Sequence, residues 1–392
     1  MIVRPYPVTA WTVACALGAD TAAVRETLRA GRSGLQPVGE ARGLPFDTWF
    51  GALPVEDLPA LPAALAERDT LQARMAAHLT SGILAAARGA VARWGADRVG
   101  VILGTTTGGI ADTEARYPDW TPEAGFPDGY DLARQHAMQA TSEVVGALVG
   151  ATGPRWAQSS ACSSSTKVFG SARRLLDLGV VDAVLVGGID TWCRFTQLGF
   201  RSLEVLSSRR CAPFAADRDG INLGEGGALV LLERQGEARA WLHGVGETSD
   251  AHHMTQPHPE GAGLGAAIRR AVLASGISAR DVDLVQAHAT GTPLNDRAES
   301  LAIARELPHG PLVVGTKGYT GHTLGACGAV EAALCLLALE EGWCPGTLTR
   351  APLDPELAVR VSPDPVTQRF RYALNLSAAF AGHNGAVLLE AA

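Results

Sequence analysis

The residue with the clearest chemical potential is Cys162, which lies in the run SSACSSS at positions 159–165. An apolar, helix-forming stretch at residues 168–178 follows closely, so the pattern predicts a thiol at or near a helix N-terminus. Unpaired N–H groups and the helix dipole there favour a thiolate, and the serines can cap the helix. Such a thiolate is a nucleophile suited to accept an acyl group. The alternative is a small buried hydrophobic residue, which is what most free cysteines are.

Two downstream histidines favour the nucleophile. His288 ends a predicted buried strand and begins the motif HATGTPLND, and His322 lies within KGYTGHTLGACG at positions 317–328. Reactive groups of α/β proteins often follow strand ends. Either histidine alone is more often structural than catalytic. Two of them on Gly- and Thr-rich turns, with a cysteine on a matching turn, predict one reactive set. Lys317 also stands out, because only it and Lys167 are lysines among 33 basic residues.

The composition limits what kind of protein can carry this set. The chain has 392 residues, 47% of them hydrophobic, which is enough for a large core in one domain or two fused halves. A net charge of −7 and the lack of an arginine-rich block argue against nucleic-acid binding. Seven cysteines without paired spacing predict reduced thiols in a cytoplasmic protein. No signal peptide or membrane span is predicted, and the apolar residues 8–18 predict a first buried strand.

The elements that position these residues alternate between strand and helix, which predicts an α/β fold. An alanine-rich helix at residues 82–94 leads into a strand at 99–103, and a helix at 266–274 leads into a strand at 282–287. The same order of helix and strand thus occurs twice, although such repetition is found in any α/β protein.

Further features that recur in both halves favour an internal duplication. A Gly-Pro pair at 153–154 precedes the cysteine turn, and another at 310–311 precedes the His322 turn and a predicted helix at 326–340. Similar strands, residues 227–233 and 385–390, close the two halves. The agreement predicts an internal duplication whose two reactive turns face one cleft. The predicted halves are residues 1–235 and 236–392, and the proline-containing segments 53–62 and 117–130 are predicted surface excursions.

Over essentially its whole length the sequence resembles the elongating β-ketoacyl-acyl-carrier-protein synthases, which have the thiolase fold. The resemblance rests on Ala161-Cys162, VLVGG at 184–188, RDG at 218–220 with GEG at 224–226, SDAHHMT at 249–255, the two histidine motifs, and FAGHNG at 380–385. It implies duplicated α/β halves in a five-layer αβαβα arrangement.

The resemblance also implies a reaction. Cys162 would take an acyl group from a carrier-protein thioester. His288 and His322 would bind the malonyl thioester carbonyl and stabilise the enolate that remains when carbon dioxide leaves. The carbanion would attack the acyl group and give a β-ketoacyl thioester two carbons longer. The backbone N–H groups of Cys162 and Phe380 would hold the acyl oxyanion, with Phe380 also acting as the acyl gate.

Supporting roles follow from the same resemblance. Lys317 would support the site electrostatically with Glu331 as its partner. The arm-binding and acyl-pocket residues implied are Thr290, Thr292 and Thr255 for the phosphopantetheine arm, and Ala378 and Ile221 for the acyl chain. No cofactor or metal is expected to be bound, since the substrates arrive on the 4'-phosphopantetheine of an acyl carrier protein. Adjacent histidines point apart in an extended segment, so His252, His253 and His258 do not predict a metal site.

The chain departs from the family in the loop that carries Phe380. The loop, usually alternating Phe and Gly, is here SAAFAG at positions 377–382. Ala378 replaces a bulky phenylalanine and opens volume, whereas Ala379 and Ala381 replace glycines and reduce the freedom of the loop. These changes predict an unusual, rigid or conjugated acyl substrate and a specialised type II system, such as one that makes aryl polyenes.

Several alternatives differ from an elongating synthase in identifiable residues. A chain-length-factor-like partner subunit would lack the nucleophile, and a degradative thiolase would carry a second cysteine near residues 382–384. A priming synthase would have asparagine in place of one histidine, and a pure binding module would need no reactive set. The expected partners are an acidic acyl carrier protein and a second ketosynthase-like subunit, in a homodimer or heterodimer. Candidate docking residues for the carrier are Arg68, Arg74, Arg134, Arg209 and Arg210.

Overall fold

The computed structural model describes residues 4–392. Its strands are β1 Tyr6–Cys15, β2 Gln36–Val38, β3 Thr48–Gly51, β4 Val99–Gly104, β5 Arg155–Gln158, β6 Ala183–Asp190, β7 Leu223–Gly224, β8 Gly226–Glu233, β9 Ala240–Ser249, β10 Leu284–Gln286, β11 Leu312–Val314, β12 Trp343–Cys344, β13 Val366–Thr367, β14 Tyr372–Ala378 and β15 His383–Ala391. Its α-helices are α1 Thr21–Arg29, α2 Leu71–Ser81, α3 Leu84–Trp94, α4 Ile110–Arg116, α5 Gln139–Val149, α6 Ser164–Asp177, α7 Arg194–Ser202, α8 Ala262–Ser275, α9 Pro293–Glu306, α10 Lys317–Thr320 and α11 Cys327–Glu341.

Ten strands form a mixed sheet with two five-stranded halves, β5-β4-β6-β8-β1 and β11-β10-β14-β15-β9. In the first half β4 pairs parallel with β5 and β6, and β8 pairs antiparallel with β6 and β1. In the second half β10 pairs parallel with β11 and β14, and β15 pairs antiparallel with β14 and β9. The two patterns are the same, and β1 joins β9 only at Tyr6, Pro7 and Val8. The predicted duplication is therefore confirmed.

The three largest hydrophobic clusters lie between the layers of helices and strands. The central core contains α6 and α11 together with strand residues of both halves. The helices α8 and α9 pack on the outer face of the second half, and α2, α3 and α5 pack on the outer face of the first. Every residue of α11 from Cys327 to Leu339 is buried, as expected for a largely apolar helix that lies between the two halves of the sheet. The expected αβαβα arrangement is confirmed.

Some element boundaries differ from those predicted. The first strand ends at Cys15, three residues earlier than predicted, because Cys15 and Gly18 close a turn through reciprocal backbone hydrogen bonds of 3.0 and 2.9 Å. Residues 53–62 form no helix or strand, and only Leu53 and Leu61 within them are buried. The boundary predicted between residues 235 and 236 stays a prediction and lies in the loop between β8 and β9. Within residues 4–392, every helix is too short or too polar to cross a membrane.

Candidate active site

Cys162 lies on the turn that leads into α6, at the floor of a cavity of about 290 Å³. The prediction that the serines cap this helix is wrong for Ser163, which stands at the N-cap position and makes no capping hydrogen bond. The hydroxyls of Ser163 and Ser164 instead donate to the carbonyl oxygens of Ser160 (2.9 Å) and Ala161 (2.6 Å), and the Ser164 hydroxyl accepts from the N–H of Ser160 (2.9 Å), which tightens the turn. Ala161 adopts φ 49°, a left-handed conformation that costs a residue with a β-carbon about 1–2 kcal/mol. Strained backbone of this kind is concentrated at functional sites.

The sulfur of Cys162 is more deeply buried than the sequence led us to expect. Burial raises the pKa of the thiol to about 11, although Lys317 and the backbone N–H groups of Cys162 and Phe380 lower it. The expectation of a thiolate at rest is therefore wrong, since desolvation outweighs the favourable field at the start of α6. These two N–H groups come from different parts of the chain and lie close enough to the sulfur to lower its pKa, so their role as an oxyanion hole stays a prediction.

His288 and His322 come together beside Cys162. Their ring centroids are 5.2 Å apart and their planes nearly perpendicular, at 87°. Ring nitrogens of both histidines and the sulfur of Cys162 all lie within 4.8 Å of one another. Burial, followed by the charge of Lys317, lowers the pKa of each imidazole well below its usual value, so both rings are neutral.

Hydrogen bonds determine the tautomer of each ring. The ammonium of Lys317 donates to His288 Nδ1 at 3.2 Å, and the backbone N–H of Leu324 donates to His322 Nδ1 at 3.0 Å. Because neither donor can accept, the proton of each neutral ring is on Nε2. Both histidines thus present an N–H donor with Nδ1 already occupied, which suits an oxygen of a substrate and does not suit a metal ion.

Lys317 connects His288 to the buried carboxylate of Glu331. Its ammonium donates to the carbonyl oxygen of His288 at 2.5 Å and forms a buried ion pair with Glu331. Burial lowers the pKa of Lys317, but Glu331 and the other acidic groups around it, Glu299 among them, together outweigh burial and leave the pKa above its usual value. The lysine therefore remains charged between two neutral imidazoles.

Two buried carboxylates hold the turns in place, and sequence reasoning did not identify either role. Glu299 on α9 accepts from the backbone N–H groups of His288 (2.6 Å) and Ala289 (2.7 Å). Asp190, at the end of β6, accepts from the N–H of Thr107 (2.8 Å) and of Ala326 (2.9 Å), joining the two halves. Neither residue has a spacing signature; the only available signal was an acidic residue inside an otherwise apolar or helical context.

The residues predicted to bind the arm and the acyl chain all line the same cavity as Cys162. These lining residues are Thr290, Thr292, Thr255, Ile221, Ala378 and Phe380. Thr290 and Thr292 are joined by a hydrogen bond of 2.9 Å between their hydroxyl groups. Sequence reasoning missed Phe200, whose ring centroid lies 5.8 Å from that of Phe380, and Asn384. Ala381 adopts φ 62°, so the residue that replaces a family glycine is strained.

The histidine-rich segment has a structural explanation. His253 Nδ1 accepts from the backbone N–H groups of Thr255 and Gln256, each at 3.1 Å, and so shapes a segment that lines the cavity. The groups of three or more potential metal ligands found within residues 4–392 do not include His252, His253 or His258.

Three of the five candidate docking arginines are ion-paired. Arg74 binds Asp69 at 2.7 Å, and Arg134 binds Glu67. Arg209 binds Asp219 at 2.8 Å, and Asp219 lines the cavity, so Arg209 lies near the mouth of the site. Docking roles for these residues, and for Arg68 and Arg210, stay predictions.

Comparison with known proteins agrees with this geometry. Residues 7–238 match the family described as β-ketoacyl synthase, N-terminal domain, and residues 239–350 match β-ketoacyl synthase, C-terminal domain. The 3-oxoacyl-[acyl-carrier-protein] synthase 2 of Mycobacterium bovis is 39% identical over 245 residues, which are 58% of this chain and 59% of that protein. The aligned region thus spans less than two thirds of that relative. Nodulation protein E of Rhizobium meliloti is 30% identical over 394 residues and 96% of each chain.

A solved structure resembles the chain over nearly its full length. A chain of the complex between a ketosynthase and its chain length factor from Xenorhabdus doucetiae has a TM-score of 0.90 and 34% identity, and the match covers 99% of this chain and 98% of that chain. The fold is therefore that of the thiolase-like ketosynthases. The chain belongs to the β-ketoacyl synthase family.

Proposed function

We propose that this protein joins an acyl group bound to Cys162 with malonyl-acyl carrier protein, releasing carbon dioxide and forming a β-ketoacyl-acyl carrier protein. The observation that carries the proposal is the convergence of Cys162, His288 and His322, whose reactive atoms lie within 4.8 Å of one another. Membership of the β-ketoacyl synthase family supports the same reaction class.

The first step is acyl transfer to the cysteine. The sulfur of Cys162 attacks the thioester carbonyl, the bond from that carbon to the carrier sulfur breaks, and the thiol proton passes to the departing carrier thiol. The N–H groups of Cys162 and Phe380, which lie near enough to the sulfur to lower its pKa, would stabilise the negatively charged oxygen. One such donor typically contributes about 10²–10³ in rate.

The second step is decarboxylation of the malonyl group. The Nε2–H groups of His288 and His322 would donate to the thioester carbonyl oxygen. Support comes from their Nδ1 atoms, which already accept hydrogen bonds and so leave the proton of each ring on Nε2. The bond to the carboxylate breaks, carbon dioxide leaves, and the electron pair remains as an enolate. The enolate carbon then bonds to the acyl carbon, the bond to Cys162 breaks, and the released thiolate takes up a proton. The charged Lys317 with Glu331 would keep His288 in its donor tautomer.

The carrier arm would reach the sulfur through the cavity. Thr290, Thr292 and Thr255 line it and offer hydroxyl groups to the amides of a 4'-phosphopantetheine arm. No other cofactor takes part in the proposal. We place the reaction in a reducing compartment such as the cytoplasm, because all seven cysteines are buried thiols.

The acyl substrate would be a rigid or conjugated chain of a specialised type II system, such as an aryl polyene. Support comes from Ala378, a small residue on the cavity wall, and from the likeness to a ketosynthase complex that includes a chain length factor. A second ketosynthase-like subunit, identical or not, would complete the assembly. The terminal strand β5 supports this, since it ends the ten-stranded sheet and its backbone at Arg155 and Ala157 bonds the side chain of Gln139 rather than a further strand.

Intact mass spectrometry tests the proposal. The wild type and Cys162→Ala are incubated with a panel of acyl carrier thioesters and then with malonyl carrier protein. We expect an acyl adduct on the wild type alone, which malonyl carrier protein discharges to a product two carbons longer. The absence of an adduct from every donor would contradict the proposal and favour a non-elongating, chain-length-factor-like subunit.

A further inference from the structure

The loop that carries Phe380, residues 378–382, is fastened at both ends to the helix that follows the nucleophile. Just before the loop, the hydroxyl of Ser377 is 2.5 Å from that of Thr166 on α6. Just after it, the ammonium of Lys167 on α6 donates to His383 Nδ1 at 3.1 Å. We call residues 378–382 the gate loop. Its two anchors are consecutive residues on one helix, so both ends move with α6.

The Lys167–His383 contact is partly buried, with Lys167 the more buried of the two residues. Lys167 is only 7% exposed, although lysine is almost never buried without a partner. Burial, followed by the charge of Lys167, lowers the pKa of His383. The ring is therefore neutral, and its Nδ1 can accept a hydrogen bond from the lysine ammonium. The other charge near the ammonium is Glu247, which already binds Arg174 at 3.0 Å. His383 is thus the hydrogen-bond partner that Lys167 has in this structure.

The gate loop itself is strained. Ala381 and Gly382 adopt φ values of 62° and 72°, and conformations of this kind persist only where surrounding contacts enforce them. On the cavity side the N–H of Ala381 donates to Met254 at 2.7 Å, and the N–H of Asp250 donates to Gly382 at 2.8 Å. The anchors on α6 supply the opposing restraint.

We propose that Lys167 and His383 are positioning residues that hold the backbone N–H of Phe380 over the sulfur of Cys162. This inference rests on the proposed condensation. Lys167 lies five residues after Cys162, in the first turns of α6, and the turn that carries Cys162 leads directly into this helix. The Lys167–His383 contact, here called the latch, is therefore tied to the same helix as the turn that carries the sulfur. A latch on this element fixes the distance between Cys162 and the Phe380 N–H, which a mobile gate loop would not maintain.

The test compares variants that differ in the latch alone. Lys167→Met keeps the aliphatic chain and removes the ammonium, and His383→Leu removes the acceptor. His383→Asn keeps an acceptor near the position of Nδ1 and serves as the rescue variant. Arg269→Met is the matched control, because it removes an exposed cation from α8, away from the gate loop, and leaves its partner Glu306 paired with Arg305. Two readouts are taken: amide hydrogen exchange of the peptide containing residues 378–383, and the rate of Cys162 acylation by intact mass.

In Lys167→Met and His383→Leu we expect faster exchange in that peptide and acylation slowed about tenfold, the effect of losing one charge-assisted hydrogen bond. The double variant should be no slower than either single one, and His383→Asn and Arg269→Met should match the wild type. Unchanged exchange in Lys167→Met would overturn the latch, whether or not the wild type is acylated. If the wild type takes up no acyl group, the proposed function is contradicted. The exchange result would then still show whether the Lys167–His383 contact holds the gate loop.

Discussion

The ammonium of Lys317 donates both to the ring Nδ1 of His288, at 3.2 Å, and to the backbone carbonyl oxygen of the same residue, at 2.5 Å. One buried cation thus fixes the tautomer of the imidazole and the course of the chain beneath it. His322 reaches the same tautomer differently, through the backbone N–H of Leu324, whose φ is 53°. One histidine depends on a side chain and the other on a strained turn, so substitutions can separate them.

Removing the cation should impair His288 selectively. Changing Lys317 alone would leave Glu331 as an unpaired buried charge, so the informative variant is Lys317→Met with Glu331→Gln. We expect malonyl decarboxylation to fall by about 10²-fold, since the His288 donor is no longer fixed, and Cys162 acylation to fall less than tenfold. Carbon dioxide release and intact mass measure the two steps. Equal losses in both steps would argue against this division of roles.

His322→Phe should remove the second donor while preserving a ring of similar size. Decarboxylation should drop by about 10²–10³-fold, the usual effect of losing one donor to a developing oxyanion. Acylation of Cys162 should persist, because its proposed donors are backbone N–H groups. Circular dichroism checks that the variant is folded. An unchanged rate of decarboxylation would show that His322 does not contact the malonyl group.

The alkylation of Cys162 should be strongly pH-dependent. Its pKa is raised to about 11 by burial, so the thiolate fraction, and with it the rate with iodoacetamide, should increase about tenfold per unit between pH 7 and 10. The sign follows because only the thiolate reacts and it accumulates as the pH rises. Cys162→Ala controls for the other six cysteines, all of them buried. A rate that levels off near pH 7 would show instead that the thiolate forms at rest.

Ala378→Phe tests the origin of acyl specificity. The added ring would fill part of the cavity that Ala378 and Ile221 line, so long or rigid polyunsaturated donors should load at least about tenfold more slowly. Short saturated donors should load at the wild-type rate. Competition between the two donor classes on intact mass gives the ratio directly. An unchanged ratio would remove Ala378 from the determinants of specificity.

The sequence alone was sufficient to predict that Cys162, His288 and His322 come together and that the fold is duplicated. Cys162, His288 and His322 stand on turns whose small residues and strand-end positions are local features. The repeated order of helices and strands is equally local, because hydrophobic periodicity reports which face of an element is buried. These patterns therefore predicted the α/β class and one shared cleft before any contact was known.

The tertiary structure decided how those residues are protonated and held. The resting thiol of Cys162, the tautomers of the two histidines, and the contact between Lys167 and His383 all differ from or go beyond the sequence expectation. Each depends on burial and on partners far away in the chain, as when 216 residues separate Lys167 from His383. Desolvation and long-range hydrogen bonds have no local pattern in a sequence, since they arise only when the layers pack together.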